Sequence, residues 1–194
     1  IEPFSVFDDD PLLKLHPELF GAVMDGRHMF CPSVPETRRF IREMVEYVFR
    51  HVPRLGGLIN ITHGERPTTC LSAIGGTSPG PVPCPRCSQI AEGEIVRQSL
   101  QAMRDGMNAA APDALLIAWF YLPHTMKHAE WAHEIAAHMP EGVIAQFNFE
   151  SGGMKEQLGR KHYGGDYWLS YAGPSERFEL QAEKGRAAGV EISA

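Results

Sequence analysis

The stretch Gly57–Cys87, GLINITHGERPTTCLSAIGGTSPGPVPCPRC, determines how we interpret the chain. It opens with the apolar run Leu58–Thr62, which has the length and composition of a buried strand. His63, Gly64 and Glu65 follow directly, and a Gly/Pro-rich loop with three cysteines comes next. A strand that delivers polar side chains into a long loop is typical of the active-site edge of an α/β protein. The three cysteines indicate that something other than a hydrophobic core holds this loop in shape.

Composition indicates one domain with a sizeable core, because the chain has 194 residues and 43% of them are hydrophobic. A net charge of -6 without any basic run argues against nucleic acid as a partner. The longest apolar runs have strand length, so we expect no membrane-spanning segment. The N-terminus, IEPFSVFDDD, has no basic start and no initiator Met. We therefore expect a processed or excised chain without a targeting signal, which leaves its localisation open.

Strand and helix patterns alternate on both sides of this stretch. An apolar face at i, i+4 and i+8 spacing predicts a helix that starts near Pro35 and ends before Pro53. Leu115–Tyr121 is almost uninterrupted apolar sequence, as in strands that are covered on both faces. Further strands are predicted at 28–32, 143–149 and 167–171 and from 190, and further helices at about 88–110, 127–139 and 175–188. This order predicts a parallel sheet with right-handed crossovers.

The strand ends favour one α/β architecture over another. Polar residues recur where the predicted strands end, and no dinucleotide-type glycine fingerprint follows any strand. This combination favours a (β/α)8 TIM-type barrel over a doubly wound sheet. Only six or seven strands can be counted, so we expect residues 1–194 to form a single, incomplete barrel domain. Residues 64–88 would be a Cys/Gly/Pro-rich loop insertion in that domain.

Three motifs carry a resemblance to a known family: LGGLINITHGE, the CPRC loop and GDYWLSYAGPSERF, in that order. From His16 onward the chain resembles bacterial glycoside hydrolases related to the β-N-acetylhexosaminidases, in particular a group whose substrates are uncharacterised. The resemblance implies a carbohydrate substrate and a catalytic acid at the end of the fourth strand, which falls on Glu65. The hexosaminidases proper have an Asp immediately before this acid, where Gly64 stands here. The resemblance therefore does not extend to substrate-assisted catalysis on an N-acetylated sugar.

Glycoside hydrolysis requires two carboxyl groups, one protonated and one ionised. Glu65 and Glu150 are the two carboxylates that follow predicted strands, and strand alternation places Glu150 on the same side as Asn148. Glu65 lies off the parity of its own strand, so Gly64 would have to redirect it. A salt-bridge role is the alternative for Glu65, and a second carboxylate outside this chain is the alternative to Glu150.

Other polar and aromatic residues near the strand ends complete the predicted site. His63 would bind a sugar hydroxyl or tune Glu65, unless it is a structural histidine. Candidates for substrate binding are Asn148, His124, Asp166, Trp168 and Tyr121. One rival interpretation is a metal-dependent hydrolase in which His63, His124 and a carboxylate hold a catalytic ion. Another is a non-catalytic sugar-binding barrel or an inactive fragment.

The four cysteines predict a metal site of their own. The CPRC spacing of Cys84 and Cys87, with Cys70 upstream, is typical of zinc ligands. Cys31 ends the preceding predicted strand, so it is the natural fourth ligand. A closed four-thiolate site would hold structural zinc, and no organic cofactor is expected. Disulfides and unliganded thiols are the alternatives.

Overall fold

The computed structural model describes residues 5–65, 67–74, 80–122, 130–165, 171 and 173–194. Its strands are β1 (Ser5–Phe7), β2 (Phe20–Met24), β3 (Arg27–Phe30), β4 (Gly57–His63), β5 (Leu115–Phe120), β6 (Val143–Phe147), β7 (Met154–Gln157), β8 (Arg160–Tyr163) and β9 (Ile192–Ser193). Its α-helices are α1 (Pro11–Leu15), α2 (Pro35–His51), α3 (Glu92–Ala110), α4 (Glu130–Glu134) and α5 (Glu176–Ala187). Short 3-10 helices lie at Pro17–Leu19, Cys70–Ile74, Cys87–Gln89 and Ile135–His138. In this described part of the chain, no helix is long and apolar enough to cross a membrane.

A four-stranded parallel sheet forms the centre of the molecule, in the order β4-β5-β6-β9. A helix lies in each connection: α3 after β4, α4 after β5 and α5 after β6. Parallel neighbours need such long crossovers, because the chain must return to the starting edge before it pairs again. The predicted parallel strands near 58, 115, 143 and 190 are all present in this sheet.

The predicted (β/α)8 TIM-type barrel is wrong. Within the described residues, the parallel sheet has only four strands, and the remaining strands form two small antiparallel sheets, β1-β3-β2 and β7-β8. The strand predicted at 28–32 corresponds to β3, which pairs antiparallel with β1 and β2 rather than joining the parallel sheet. Of the strand predicted at 167–171, only Tyr171 lies among the described residues.

The turn between β2 and β3 gives the physical reason for part of this error. Asp25 and Gly26 both have positive φ, 52° and 71°. An Asp-Gly pair with this geometry forms a two-residue hairpin turn, which folds β2 back onto β3. The sequence MDGR therefore predicts an antiparallel hairpin, which is incompatible with a place for β3 in a parallel barrel.

The two long helices bury the apolar faces that their sequences predict. On α2, Ile41, Val45 and Phe49 are buried. On α3, the predicted line of Val96, Leu100, Met103 and Met107 is at most 1% exposed. The inner face of the sheet joins the same core through Leu116, Ala118, Phe120, Val143, Ala145 and Phe147. The outer face is less covered, since Ile59 on β4 remains 48% exposed.

Gly106 on α3 lies directly against the backbone of α2. A Cβ atom at this position would lie 2.4 Å from the carbonyl oxygen of Arg42 and 3.1 Å from the amide nitrogen of Glu46. Neither is the end of a flexible side chain, so the two helices would have to move apart to make room.

We expect Gly106→Ala to destabilise the protein by about 2 kcal/mol, because separating packed helices costs more than the gain of about 1 kcal/mol from replacing a helical glycine. The matched control is Asn108→Ala on the exposed side of the same helix, which should be neutral or slightly stabilising. Urea unfolding of both variants measures the difference. A Gly106→Ala protein at least as stable as the control would show that the helices do not pack this closely.

Candidate functional site

Four cysteine sulfurs meet in one buried cluster, formed by Cys31, Cys70, Cys84 and Cys87. Their Sγ atoms all lie within 4.8 Å of one another, and each residue is at most 2% exposed. Cys31 follows β3, Cys70 and Cys87 begin short 3-10 helices, and Cys84 lies between those helices. The cluster therefore joins the antiparallel N-terminal sheet to the long loop after β4.

The sulfur spacing fits a metal site better than disulfides. The Sγ atom of Cys31 lies 3.7 Å from that of Cys84 and 3.5 Å from that of Cys87. A tetrahedron with zinc–sulfur bonds of about 2.3 Å has sulfur–sulfur edges of about 3.8 Å. A disulfide would need about 2.05 Å, and all four cysteines are free thiols. The cluster thus has the ligand type, number and approximate spacing of a tetrathiolate metal site.

Three neighbouring groups form hydrogen bonds with the sulfurs. The Nε atom of Arg86 lies 3.3 Å from Cys31 Sγ, and its terminal nitrogen donates to the Phe20 carbonyl oxygen. The amide of Ala22 lies 3.4 Å from Cys70 Sγ, and the Ser33 hydroxyl lies 3.3 Å from Cys87 Sγ. Such outer contacts orient metal-bound thiolates and offset their negative charge.

The crowded thiols cannot all ionise by themselves. Hydrogen bonds from Cys70 and Cys87 hold the pKa of Cys31 well below its usual range. The same contact with Cys31 raises the pKa of Cys70 strongly and that of Cys87 to about 12. One thiolate is therefore stabilised by its protonated neighbours, and a cation would be needed to hold four thiolates together.

Gly21 on β2 provides the space for this cluster. A Cβ atom there would lie 2.5 Å from Cys70 Sγ and 2.9 Å from Cys84 Sγ. Any side chain would therefore push into the position that two sulfurs occupy. β2 is thus part of the wall of the site, although it supplies no ligand.

The second candidate site is the carboxyl edge of the parallel sheet, which we define as the residues at and just beyond the ends of β4, β5 and β6. β4 contains a β-bulge there, because Ile61 pairs with Trp119 but His63 pairs with Phe120. The extra residue is Thr62, and it breaks the strand alternation so that both Thr62 and His63 are 2% exposed. Bulges at strand ends commonly redirect side chains beside functional sites.

Gly64 then turns the chain away from β4. Its φ is 107°, and a Cβ atom there would lie 1.7 Å from the Tyr121 carbonyl oxygen. Only glycine fits this conformation and this contact. Glu65, the predicted catalytic acid, follows it and is exposed to solvent.

His63 is a buried, neutral histidine. Its ring stands edge-on to Trp131 with centroids 5.1 Å apart, and its Nδ1 atom has no hydrogen-bond partner among the described residues. Burial lowers the pKa of His63 to about 4, so the ring is uncharged at neutral pH. With 2% exposure, His63 lies beneath the surface of the carboxyl edge, which favours a supporting role over direct contact with a ligand.

The other described site predictions also lie at the carboxyl edge. Tyr121 stacks on Trp119 with ring centroids 4.5 Å apart, and the indole nitrogen of Trp119 donates to Asn148 over 2.8 Å. Glu150 is half-buried. The predicted substrate-binding residues His124, Asp166 and Trp168 lie outside the described residues.

Sequence reasoning missed several residues that organise the two sites. Arg177 on α5 is 7% exposed and donates to the Leu122 carbonyl oxygen and to Ser151 Oγ, so it ties together the loops after β5 and β6. Arg86 sits inside the CPRC motif, where its position next to two ligands was an available signal. Gly21 carried no local signal, because its role depends on sulfurs that are distant in sequence.

Comparison with known proteins does not assign this chain to a family. No protein-family model matches the chain, and no curated protein matches it significantly.

The low pKa of His63 predicts a specific loss of stability in acid. Between about pH 6.5 and pH 4 the unfolded chain binds a proton that folded His63 does not, so acid favours unfolding. This group should lower the free energy of unfolding by about 2 kcal/mol between pH 7.5 and pH 5. Denaturant unfolding should show this acid-dependent loss of unfolding free energy in the parent protein and not in His63→Gln. Replacement of the exposed His162 by Gln is the control and should retain the same pH dependence as the parent protein. An unchanged pH dependence in His63→Gln would contradict the burial of a neutral histidine ring.

Proposed function

We propose that this chain is a zinc-stabilised α/β protein in which Cys31, Cys70, Cys84 and Cys87 hold one Zn²⁺ ion. The observation that carries the proposal is the convergence of four buried Sγ atoms within 4.8 Å. Tetrahedral sulfur sites suit zinc or iron, and the CPRC spacing is of the zinc-binding type. Metal analysis separates the two ions.

A structural role fits this site better than a catalytic one. Catalytic zinc keeps a coordination position open for water or substrate, whereas four thiolates fill a tetrahedral ion completely. The cluster is also buried, so a substrate could not reach it. The ion would instead fasten the Gly/Pro-rich loop after β4 to the N-terminal sheet.

Gly21→Ala tests this proposal without removing a ligand. The parent protein should carry one zinc per chain, and the added methyl group should lower its zinc affinity at least about tenfold, since it displaces two sulfurs. Gly56→Ala is the matched control, because a Cβ atom at Gly56 meets nothing within 4 Å. Chelator competition on both variants measures the affinity. Equal zinc retention by the two variants, or a parent protein that binds no zinc, would refute the site.

A second candidate function is binding and hydrolysis of a carbohydrate at the carboxyl edge. It is supported by the Trp119–Tyr121 aromatic pair bonded to Asn148, and by two carboxylates, Glu65 and Glu150, that follow the ends of β4 and β6. Aromatic faces suit the apolar face of a sugar ring, and amide and carboxylate oxygens suit its hydroxyl groups. In this proposal the buried, neutral His63 packs beneath the surface of the carboxyl edge and does not contact the sugar.

The strand order bears on how the two carboxylates would act. β4 and β6 flank β5, so they lie about 9–10 Å apart in the sheet. Carboxyl separations of about 6.5–9.5 Å belong to inverting glycosidases, whereas retaining ones need about 5 Å. In this proposal Glu65 is the acid and Glu150 is the second carboxylate, and the separation of their carboxyl groups around a bound sugar decides between the two outcomes.

Glu65→Gln should lower hydrolysis of the best substrate in a panel of aryl glycosides at least about a hundredfold, because it removes the proton donor, while sugar binding is kept. The control is Glu43→Gln on the exposed side of α2, which should retain full activity. Initial rates and binding by calorimetry separate the two effects. Unchanged turnover in Glu65→Gln would reject Glu65 as the acid, and a parent protein that binds sugars without hydrolysing any would favour the non-catalytic interpretation.

A further inference from the structure

A groove of about 360 Å³ lies between α2 and α3, and none of its lining residues belongs to either site described above. Four arginines line it: Arg38, Arg39 and Arg42 from α2, and Arg97 from α3. Two carboxylates, Glu94 and Asp105, are among its other lining residues. Four positive charges against two negative ones leave an excess of two positive charges in the groove. The excess is local, because the whole chain carries a net charge of -6.

Both carboxylates of the groove already have partners. Glu94 accepts two hydrogen bonds from the Arg97 guanidinium, at 2.6 and 2.9 Å. Asp105 accepts a hydrogen bond from Gln101 at 2.8 Å. Glu94 is therefore already paired with an arginine of its own helix, and Asp105 is bonded to a neutral amide on that helix.

The arginines of α2 have few acceptors of their own. Arg38 donates to the Pro32 carbonyl oxygen at 2.6 Å, which satisfies one of its five donors. Arg39 and Arg42 approach the carboxylates of Glu43 and Glu46 only at 3.9 Å, which is too long for a hydrogen bond. Glu46 instead binds Arg50 at 2.6 Å. Among the described residues, Arg39 and Arg42 thus lack a close acceptor.

We propose that this groove binds the phosphate group of a small phosphorylated molecule. A phosphate monoester carries about two negative charges at neutral pH, which matches the excess in the groove. Guanidinium groups bind phosphate oxygens through paired, charge-assisted hydrogen bonds, and Arg42 lies one turn along α2 from both Arg38 and Arg39.

The size of the groove indicates the class of ligand. Its volume of about 360 Å³ is at the lower end of the range for small-molecule sites. A phosphate with a small organic group fills such a space. The competing interpretation is an ordinary solvated helix surface, whose arginines pair weakly with glutamates four residues away.

Titration of the protein with inorganic phosphate at constant ionic strength separates these interpretations, with binding followed by calorimetry. We expect saturable binding that weakens at least about tenfold in Arg42→Gln, because the variant loses charge-assisted hydrogen bonds to the anion. Arg50→Gln is the matched control: it lies on the same helix outside the groove and should change affinity less than twofold. Arg39, with a side chain 68% exposed, offers Arg39→Gln as a second variant that leaves the core untouched.

The outcomes are distinct. Saturable binding that is lost in Arg42→Gln and Arg39→Gln but kept in Arg50→Gln supports the site. Absence of saturable phosphate binding overturns it, and so does an equal loss of affinity in all three variants, which would indicate only general electrostatic attraction. Parallel thermal unfolding without phosphate verifies that each variant is folded.

Discussion

The meeting of four cysteine sulfurs in one buried cluster is the constraint on which the N-terminal half of the structure depends. Cys31 lies 53 residues from Cys84 and 56 residues from Cys87 along the chain. Bringing such distant segments together costs conformational entropy, and the burial of Leu71, Ile74 and Val82 from the loop offsets only part of that cost. A bound ion would supply the missing stabilisation and would link the antiparallel sheet to the loop after β4. The glycine at position 21 and the arginine at position 86 are then explained as parts of the same site.

The parallel sheet is the second organising element, and it places the other candidate site. Because its strands share one direction, the residues that follow β4, β5 and β6 gather at one edge. The bulge at Thr62 and the left-handed Gly64 shape that edge locally, burying His63 and exposing Glu65. Arg177 then joins the neighbouring loops from α5. The edge is thus built from the parallel sheet and the hydrogen bonds of Arg177, while the cysteine cluster joins the adjoining loop to the N-terminal sheet.

Local structure was predictable from the sequence, but the way the elements assemble was not. Apolar periodicity identified α2 and α3 with their buried faces, and the apolar runs identified β4, β5 and β6. Periodicity does not name the partner of a strand, so β3 was assigned to a barrel when it pairs with β1 and β2. The Asp25-Gly26 turn was the one local feature that could have corrected this assignment.

The same limit applies to the sites. The cysteine cluster was predictable because thiol spacing is a chemical signal, and Cys31 could be added from its position at a strand end. The burial of His63 was not predictable, because it results from a one-residue shift in pairing between two strands. Gly21 and Arg177 act through contacts with residues distant in sequence, and no nearby pattern marks them.

X-ray absorption at the zinc edge of the purified protein tests the central claim most directly, because it reports the identity and distance of the atoms around the ion. The four-thiolate site predicts four sulfur neighbours at about 2.3 Å and no nitrogen or oxygen neighbour. A protein without bound zinc, or zinc surrounded by nitrogen and oxygen atoms, would contradict the account.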